Sequence, residues 1–217
     1  MSNQITCYLI RHGKTPGNLE KRYIGAKTDE SLSAKGIDEL VKLRIAYSEI
    51  LKSKNNIRFY SGPMKRCIET LEILFPDTKY EVIDNLTEID FGDFEGHNYS
   101  ELSDNPDYQR WIDSNGTMTF PNGEPRADFI KRSIESINNC KNIFSCKNDS
   151  SNPNNTEIET IVIICHGGNI MAYLSSMTGK DYFDFQCEPG MGYKVEISEG
   201  VSNVITSYHR ISDWLRA

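Results

Sequence analysis

A chain of 217 residues with 24 Lys and Arg against 31 Asp and Glu carries a net charge of −7, which repels a nucleic-acid backbone rather than recruiting one. The length accommodates one domain with a full core and no need of disulfide staples. The longest apolar stretches, such as Ile161 to Cys165, are too short to span a bilayer, and no basic segment leading into an apolar run opens the chain; with six cysteines and no Cys-x-x-Cys pair, a cytoplasmic protein with reduced thiols and no membrane association is expected.

In chain order, Ile5 to Ile10 is rich in β-branched and aromatic residues and predicts a strand that runs directly into Arg11-His12-Gly13. A parallel α/β sheet binds its ligands beyond the carboxyl ends of its strands, so Arg11 and His12 are expected in the binding crevice. Ser33 suits the cap of a helix whose apolar positions Ile37, Leu40, Val41, Leu43 and Ile50 keep helical spacing to about Ser53. Ile57 to Tyr60 predicts a second strand, followed by the Ser61-Gly62-Pro63 turn and a helix carrying Arg66, Cys67, Thr70, Leu71 and Leu74. Tyr80 to Ile83 predicts another strand.

Asp90 to Gly96 predicts a loop, and the stretch beyond it to about Ile112 is weakly helical, with no clean period. Pro121 to Pro125 breaks the chain before a long amphipathic helix from Ala127 to Phe144, built on Phe129, Ile130, Ile134, Ile137 and Ile143. Lys147 to Glu157 is polar throughout and is expected to be an exposed loop. Thr160 to Cys165 is the most apolar strand and delivers His166-Gly167-Gly168 to the start of another helix. Tyr193 to Ile197 and Asn203 to Tyr208 predict two closing strands. No repeat or boundary interrupts residues 1–217, which are taken as a single domain.

Two apolar strands therefore end in His-Gly, one at His12 and one at His166. Alone, a His-Gly-Gly is explained equally by a helix cap or a core histidine; at matching strand ends the two imidazoles converge on one cleft. Arg11 and Arg66 suit that cleft, because a guanidinium fork binds phosphate oxygens bidentately where an ammonium cannot. No Asp/His cluster has metal-ligand spacing, so neither metal nor cofactor is expected.

Four segments in this order resemble the signatures of the histidine phosphatase superfamily, which includes cofactor-dependent phosphoglycerate mutases and small phosphomonoesterases. They are Arg11-His12-Gly13-x-Thr15-x-x-Asn18, Ser61-x-Pro63-x-x-Arg66-x-x-x-Thr70, Leu86-x-Glu88-x-x-Phe91-Gly92-x-x-Glu95-Gly96 and His166-Gly167-Gly168. The resemblance implies a phosphoglycerate mutase-like α/β fold of three layers, with a mostly parallel sheet, helices on both faces and a small cap around residues 98–122. It implies that His12 is phosphorylated, and that Arg11, Arg66 and a protonated His166 hold the phosphoryl oxygens with Asn18 and Gly167 beside them. By the same match Glu88 is the proton donor, its pKa raised by partial burial beside Phe91 and Phe94, and Glu95 supports the loop.

The chain departs from the pattern at Gly62, usually a small polar residue, at Lys14, where relatives carry Glu or Gln, and at Asn122 and Pro125 of a Pro-x-Gly-Glu stretch. Lys14 either adds charge to the pocket or is solvated; the stretch around Glu124 is either a family loop or a simple turn. Compact spacing between the Arg66 and His166 segments resembles the short phosphatases, and residues Glu88 to Gly96 and Phe120 to Glu124 resemble the α-ribazole-5′-phosphate phosphatases of cobalamin biosynthesis. The expected partner is a small-molecule phosphate monoester. A phosphoglycerate mutase and a non-catalytic phospholigand-binding module remain as alternatives. Tyr99, Tyr108, Trp111 and Phe120 either stack on a planar leaving group or pack a core.

Overall fold

The computed structural model describes residues 4–52, 56–145, 159–198 and 204–213. Six strands form one sheet: β1 (Gln4–Arg11), β2 (Ile57–Ser61), β3 (Tyr80–Val82), β4 (Glu159–Cys165), β5 (Gly192–Ser198) and β6 (Val204–Arg210), in the order β3-β2-β4-β1-β5-β6. The four strands β3, β2, β4 and β1 run parallel, while β5 and β6 are antiparallel additions at the β1 edge. The sheet is mostly parallel, as the sequence leads one to expect, and its antiparallel pairing is confined to β5 and β6 at the β1 edge.

Alternation along the central strands assigns the two faces. Ile5, Cys7, Leu9, Ile161, Ile163 and Cys165 point to one side, where α6 (Arg126–Ser145) and α7 (Gly167–Thr178) cover them through Ile137, Cys140, Ile170, Tyr173 and Leu174. Tyr8, Ile10, Val162 and Ile164 point to the other, against α2 (Ala34–Leu51) and α3 (Lys65–Leu74), through Leu40, Tyr47, Leu71 and Leu74. Burial on both faces explains why β1 and β4 are continuous apolar runs rather than alternating ones.

The predicted cap of α2 is present: Ser33 Oγ accepts from the Gly36 amide at 3.0 Å and donates to the Lys14 carbonyl at 2.9 Å. The face of that helix differs from expectation, because Ile37 and Val41 are exposed and Leu40 and Tyr47 meet the sheet. The weakly helical stretch resolves into α4 (Tyr99–Leu102) and α5 (Pro106–Asp113), with α1 (Pro16–Leu19) a single turn after the first strand. Each of α4 and α5 begins at an asparagine whose side chain accepts from first-turn amides, Asn98 and Asn105. Residues 147–157 and Cys146 lie outside the described residues; Cys7, Cys67, Cys140, Cys165 and Cys187 form no disulfide among the described residues. Among the described residues no helix is long and apolar enough to cross a membrane.

The chain moves from β1 outward to β2 and β3, returns to β4 beside β1, and continues to β5 on the opposite side. The winding direction therefore reverses between β1 and β4, and a crevice at their carboxyl ends follows from that reversal. Cys165 pairs with Arg11 in this register, and the His12 amide donates to the Cys165 carbonyl at 3.0 Å.

Candidate active site

The β1–β4 register brings both histidines to the crevice, with ring centroids 5.1 Å apart and planes at 66°. His12 is 4 % exposed and His166 not at all. His12 Nδ1 lies 2.7 Å from the Gly13 carbonyl. A carbonyl oxygen only accepts, so Nδ1 carries the proton and Nε2 keeps its lone pair. Burial, then the Arg66 and Arg11 guanidiniums, hold the His12 pKa well below its ordinary value, against the opposing Gly13 bond. A neutral imidazole with a bare Nε2 is a nucleophile.

His166 stands at the N-cap of α7, the strand having ended at Cys165. The protonated form expected from the sequence is not the resting one. Burial first, then Arg66, His12 and Arg11, push its pKa well below the ordinary value, so the pocket's fixed positive charge comes from the two guanidiniums. Its Nε2 lies 3.5 Å from Cys67 Sγ, and burial drives that thiol up to about 12, which keeps it protonated.

Arg66, on the first turn of α3, is wholly buried. Its two terminal nitrogens donate to the carbonyls of Thr28 (2.7 Å) and Gly25 (3.0 Å), which fix the fork and leave Nε without a partner. Arg11 is held in the same way, Nη1 donating to the Cys187 carbonyl at 2.8 Å while the buried Nε is unpartnered. His166 Nδ1 is the third buried polar atom here with no hydrogen bond. Leaving buried polar groups unmatched costs about 1–3 kcal/mol each, and three in one pocket mark a place built for an anion with several acceptor oxygens. Gly167 borders it: a Cβ there would lie 3.4 Å from Arg11 Nε.

Asn18 closes a capping box with Thr15, its Oδ1 accepting from the Thr15 amide at 3.2 Å; no protein acceptor takes its Nδ2 among the described residues. Glu88 is 9 % exposed. Its Oε1 accepts from the Ile89 amide at 3.0 Å and its Oε2 from the Gly168 amide at 3.2 Å, at the start of α7. A cleft of about 1070 Å³ opens beside Arg11, Glu88, Gly167 and Gly168, walled outside by Met171, Phe183, Gln186 and Glu188.

Several departures from the family pattern acquire reasons. A Cβ at Gly62 would lie 2.5 Å from the Leu86 carbonyl, so the turn into α3 tolerates no side chain there. Lys14 pairs with Glu39 on α2 at 2.9 Å rather than charging the pocket. Asn122 takes a φ of +55°, which asparagine tolerates, and donates to the Asp93 carboxylate at 3.0 Å. Glu124 is no simple turn residue: its amide donates to the Asp90 carbonyl at 3.0 Å, and its carboxylate accepts from the Asp90 amide at 3.4 Å and from Arg132 Nε at 2.6 Å. Of the two readings of the four aromatic residues, the structure favours packing, with Tyr99 at the surface. Tyr108 and Phe120 are buried, Trp111 stacks on Tyr108 at 5.9 Å, and Tyr99 is 62 % exposed; none lines the cleft.

Two residues have supporting roles that the sequence does not assign, although Thr70 stands in the second signature segment. Thr70 Oγ1 accepts from the Gly13 amide at 2.9 Å and donates to the Arg66 carbonyl at 2.6 Å, tying the nucleophile's turn to the arginine's helix. Its signal was its place four residues after Arg66 on one helical face. Arg132, on α6, donates to the carbonyls of Asn85, Thr87 and Glu88 at 2.8–3.0 Å and so clamps the Glu88 loop; nothing local to α6 announces it. Glu95 Oε1 accepts from the Gly25 amide at 2.8 Å and so supports the carbonyl that holds Arg66. Among the described residues no group of three or more His, Cys, Asp or Glu could hold a metal ion.

The family model described as histidine phosphatase superfamily (branch 1) matches residues 7–206. Among curated proteins, the chain is 27 % identical over 182 residues to a broad-specificity phosphatase of Saccharomyces cerevisiae, covering 80 % of this chain and 70 % of that one. It is 24 % identical over 204 residues to an adenosylcobalamin/alpha-ribazole phosphatase of Salmonella typhimurium, covering 91 % and 93 %. Among solved structures, the alpha-ribazole phosphatase from Shigella flexneri superposes with a TM-score of 0.72 at 20 % identity, covering 93 % of this chain and 94 % of that one, a likeness of fold.

Proposed function

The chain belongs to the histidine phosphatase superfamily, and from that premise we propose that this phosphatase hydrolyses a small phosphate monoester through a phosphohistidine on His12. One observation carries the reading: His12 Nδ1 is committed to the Gly13 carbonyl, which leaves Nε2 free, and the neighbouring Arg11 Nε, Arg66 Nε and His166 Nδ1 are buried without a hydrogen-bond partner.

The Nε2 lone pair attacks phosphorus in line, and the N–P bond forms as the bond to the ester oxygen breaks. Arg11, Arg66 and His166 hold the phosphoryl oxygens, with Asn18 Nδ2 and the Gly167 backbone beside them. Donors fixed in advance pay no reorganisation cost as charge develops. Glu88 gives a proton to the leaving alkoxide, which is otherwise a poor leaving group, and takes one from the water that attacks phosphohistidine. The N–P bond then breaks, phosphate departs and His12 regains its lone pair. No step calls for a metal ion.

For the substrate we propose α-ribazole 5′-phosphate. The names of two of the relatives support it, as do the segments Glu88 to Gly96 and Phe120 to Glu124; the yeast relative's name, broad-specificity, weighs toward a wider range. The test is initial-rate phosphate release from α-ribazole 5′-phosphate, phosphoglycerates, sugar phosphates and nucleotides, with and without chelator. α-Ribazole 5′-phosphate should give the highest kcat/KM, unaffected by chelator. Interconversion of phosphoglycerates faster than phosphate release makes the chain a mutase, and inertness across the panel makes it a binding module.

A further inference from the structure

The first turn of α7 does more than carry His166. Asn169, two residues beyond Gly167, is wholly buried in an otherwise apolar stretch of helix. Its Oδ1 accepts from the His166 amide at 3.1 Å. Its Nδ2 donates to the Thr87 carbonyl at 3.1 Å and to Ser133 Oγ at 3.0 Å. The Thr87 carbonyl belongs to the peptide that leads into Glu88, so this single amide joins the backbone of the phosphate pocket's histidine to that of the carboxylate across it. An N-cap partner alone needs only an acceptor; the two donated bonds serve something else.

We infer that Asn169 is a positioning residue that sets Glu88 at its distance from the phosphoryl group. The neighbouring contacts show how narrow that placement is. Glu88 is gripped at its carboxylate by the Gly168 amide, and a Cβ at Gly168 would lie 2.1 Å from Glu88 Oε1. Arg132 holds the Thr87 and Glu88 carbonyls from α6, but among the described residues it makes no hydrogen bond to either histidine. Asn169 alone, among the described residues, bonds to both the His166 and Glu88 sides of the crevice with one side chain. Proton transfer demands heavy-atom distances of about 2.6–3.2 Å, so a slackened Thr87–Asn169 bond harms the step that uses Glu88 before it harms phosphate binding.

The inference rests on the phosphatase reading with Glu88 as proton donor, and the test separates the two. p-Nitrophenolate leaves without protonation, whereas an alkoxide does not, so the ratio of kcat/KM for an alkyl phosphate to that for p-nitrophenyl phosphate reports proton donation. Glu88→Gln must lower this ratio; if it does not, the proton-donor reading fails and takes the inference with it. Given that fall, N169A should lower the ratio by about tenfold while kcat/KM for p-nitrophenyl phosphate stays within about threefold, a fraction of the full effect of a general acid. N169D, which keeps the acceptor for the His166 amide, should lower it as well, and serves if N169A does not fold. A ratio unchanged in a folded variant, or equal losses on both substrates, overturns the role of Asn169 and leaves that of Glu88 standing.

Discussion

The phosphate pocket and the aromatic segment that follows it are built on opposite terms. In the pocket, Arg66, His166 and Asn169 are wholly buried polar side chains, and Arg66 and Asn169 are held by backbone carbonyls and amides from three separate stretches of chain, Gly25 to Thr28, Thr87 and His166. Around the Asp90–Gly96 loop, Phe91, Phe94, Tyr108, Trp111 and Phe120 pack ring against ring, with centroids 5.1–6.3 Å apart. The first arrangement is directional and tolerates no substitute for a given atom; the second is a matter of volume and area. Losing a group from the pocket should cost activity before stability, and losing a ring should cost stability before activity.

That contrast can be broken at several points. His12→Ala should lower kcat on the order of 10⁶-fold, the scale of removing a covalent nucleophile, with the thermal midpoint nearly unchanged; substantial residual turnover contradicts the assignment. Arg66→Ala should cost on the order of 10² to 10³ in kcat, as for an oxyanion donor, and a loss below about tenfold speaks against its contact with phosphate. On the other side, Phe94→Ala, which empties a site with no exposure, should cost about 3–5 kcal/mol in denaturant unfolding while kcat in the folded fraction stays near wild type.

The smallest effect is a pH dependence that sharpens the same comparison. Both histidines have folded pKa values pushed below the ordinary one, chiefly by burial. The unfolded chain therefore takes up protons below about pH 6.5 that the folded chain refuses, and stability falls as pH drops through that value. Between pH 7.5 and 5.5 each buried imidazole should remove about 1.4 kcal/mol. His166→Asn should show a loss smaller by about that amount over the same interval; equal losses in the two proteins contradict the neutral, buried form of His166.

Both histidines and the strand ends that carry them were legible because an apolar run followed by His-Gly has one geometry in a parallel sheet. Arg66 and Glu88 were picked out through the resemblance of their short segments to family signatures. What escaped depends on partners distant in the chain. Arg132 and Asn169 act through carbonyls and amides that their own neighbourhoods do not reveal, Thr70 gains its role from the distant Gly13 amide, and the charge of His166 follows from burial against two arginines. In α2 the apolar residues are dense enough around the helix that period alone gave the element but not its face, and Ile37 and Val41 are exposed. The short helices α4 and α5 are set by caps rather than by period. The Asn98-x-x-Glu101 box and the Asn105-Pro106 start were present in the sequence, and they are the signals to read in such segments.

The proposed chemistry turns on a covalent bond between His12 Nε2 and phosphorus. Acid-labile, base-stable phosphoryl label should accumulate after rapid quenching of Glu88→Gln with an activated phosphate ester, reach about one group per chain and map to His12 by mass spectrometry. Label on any other residue, or turnover of wild-type protein with no trapped label on His12, contradicts it.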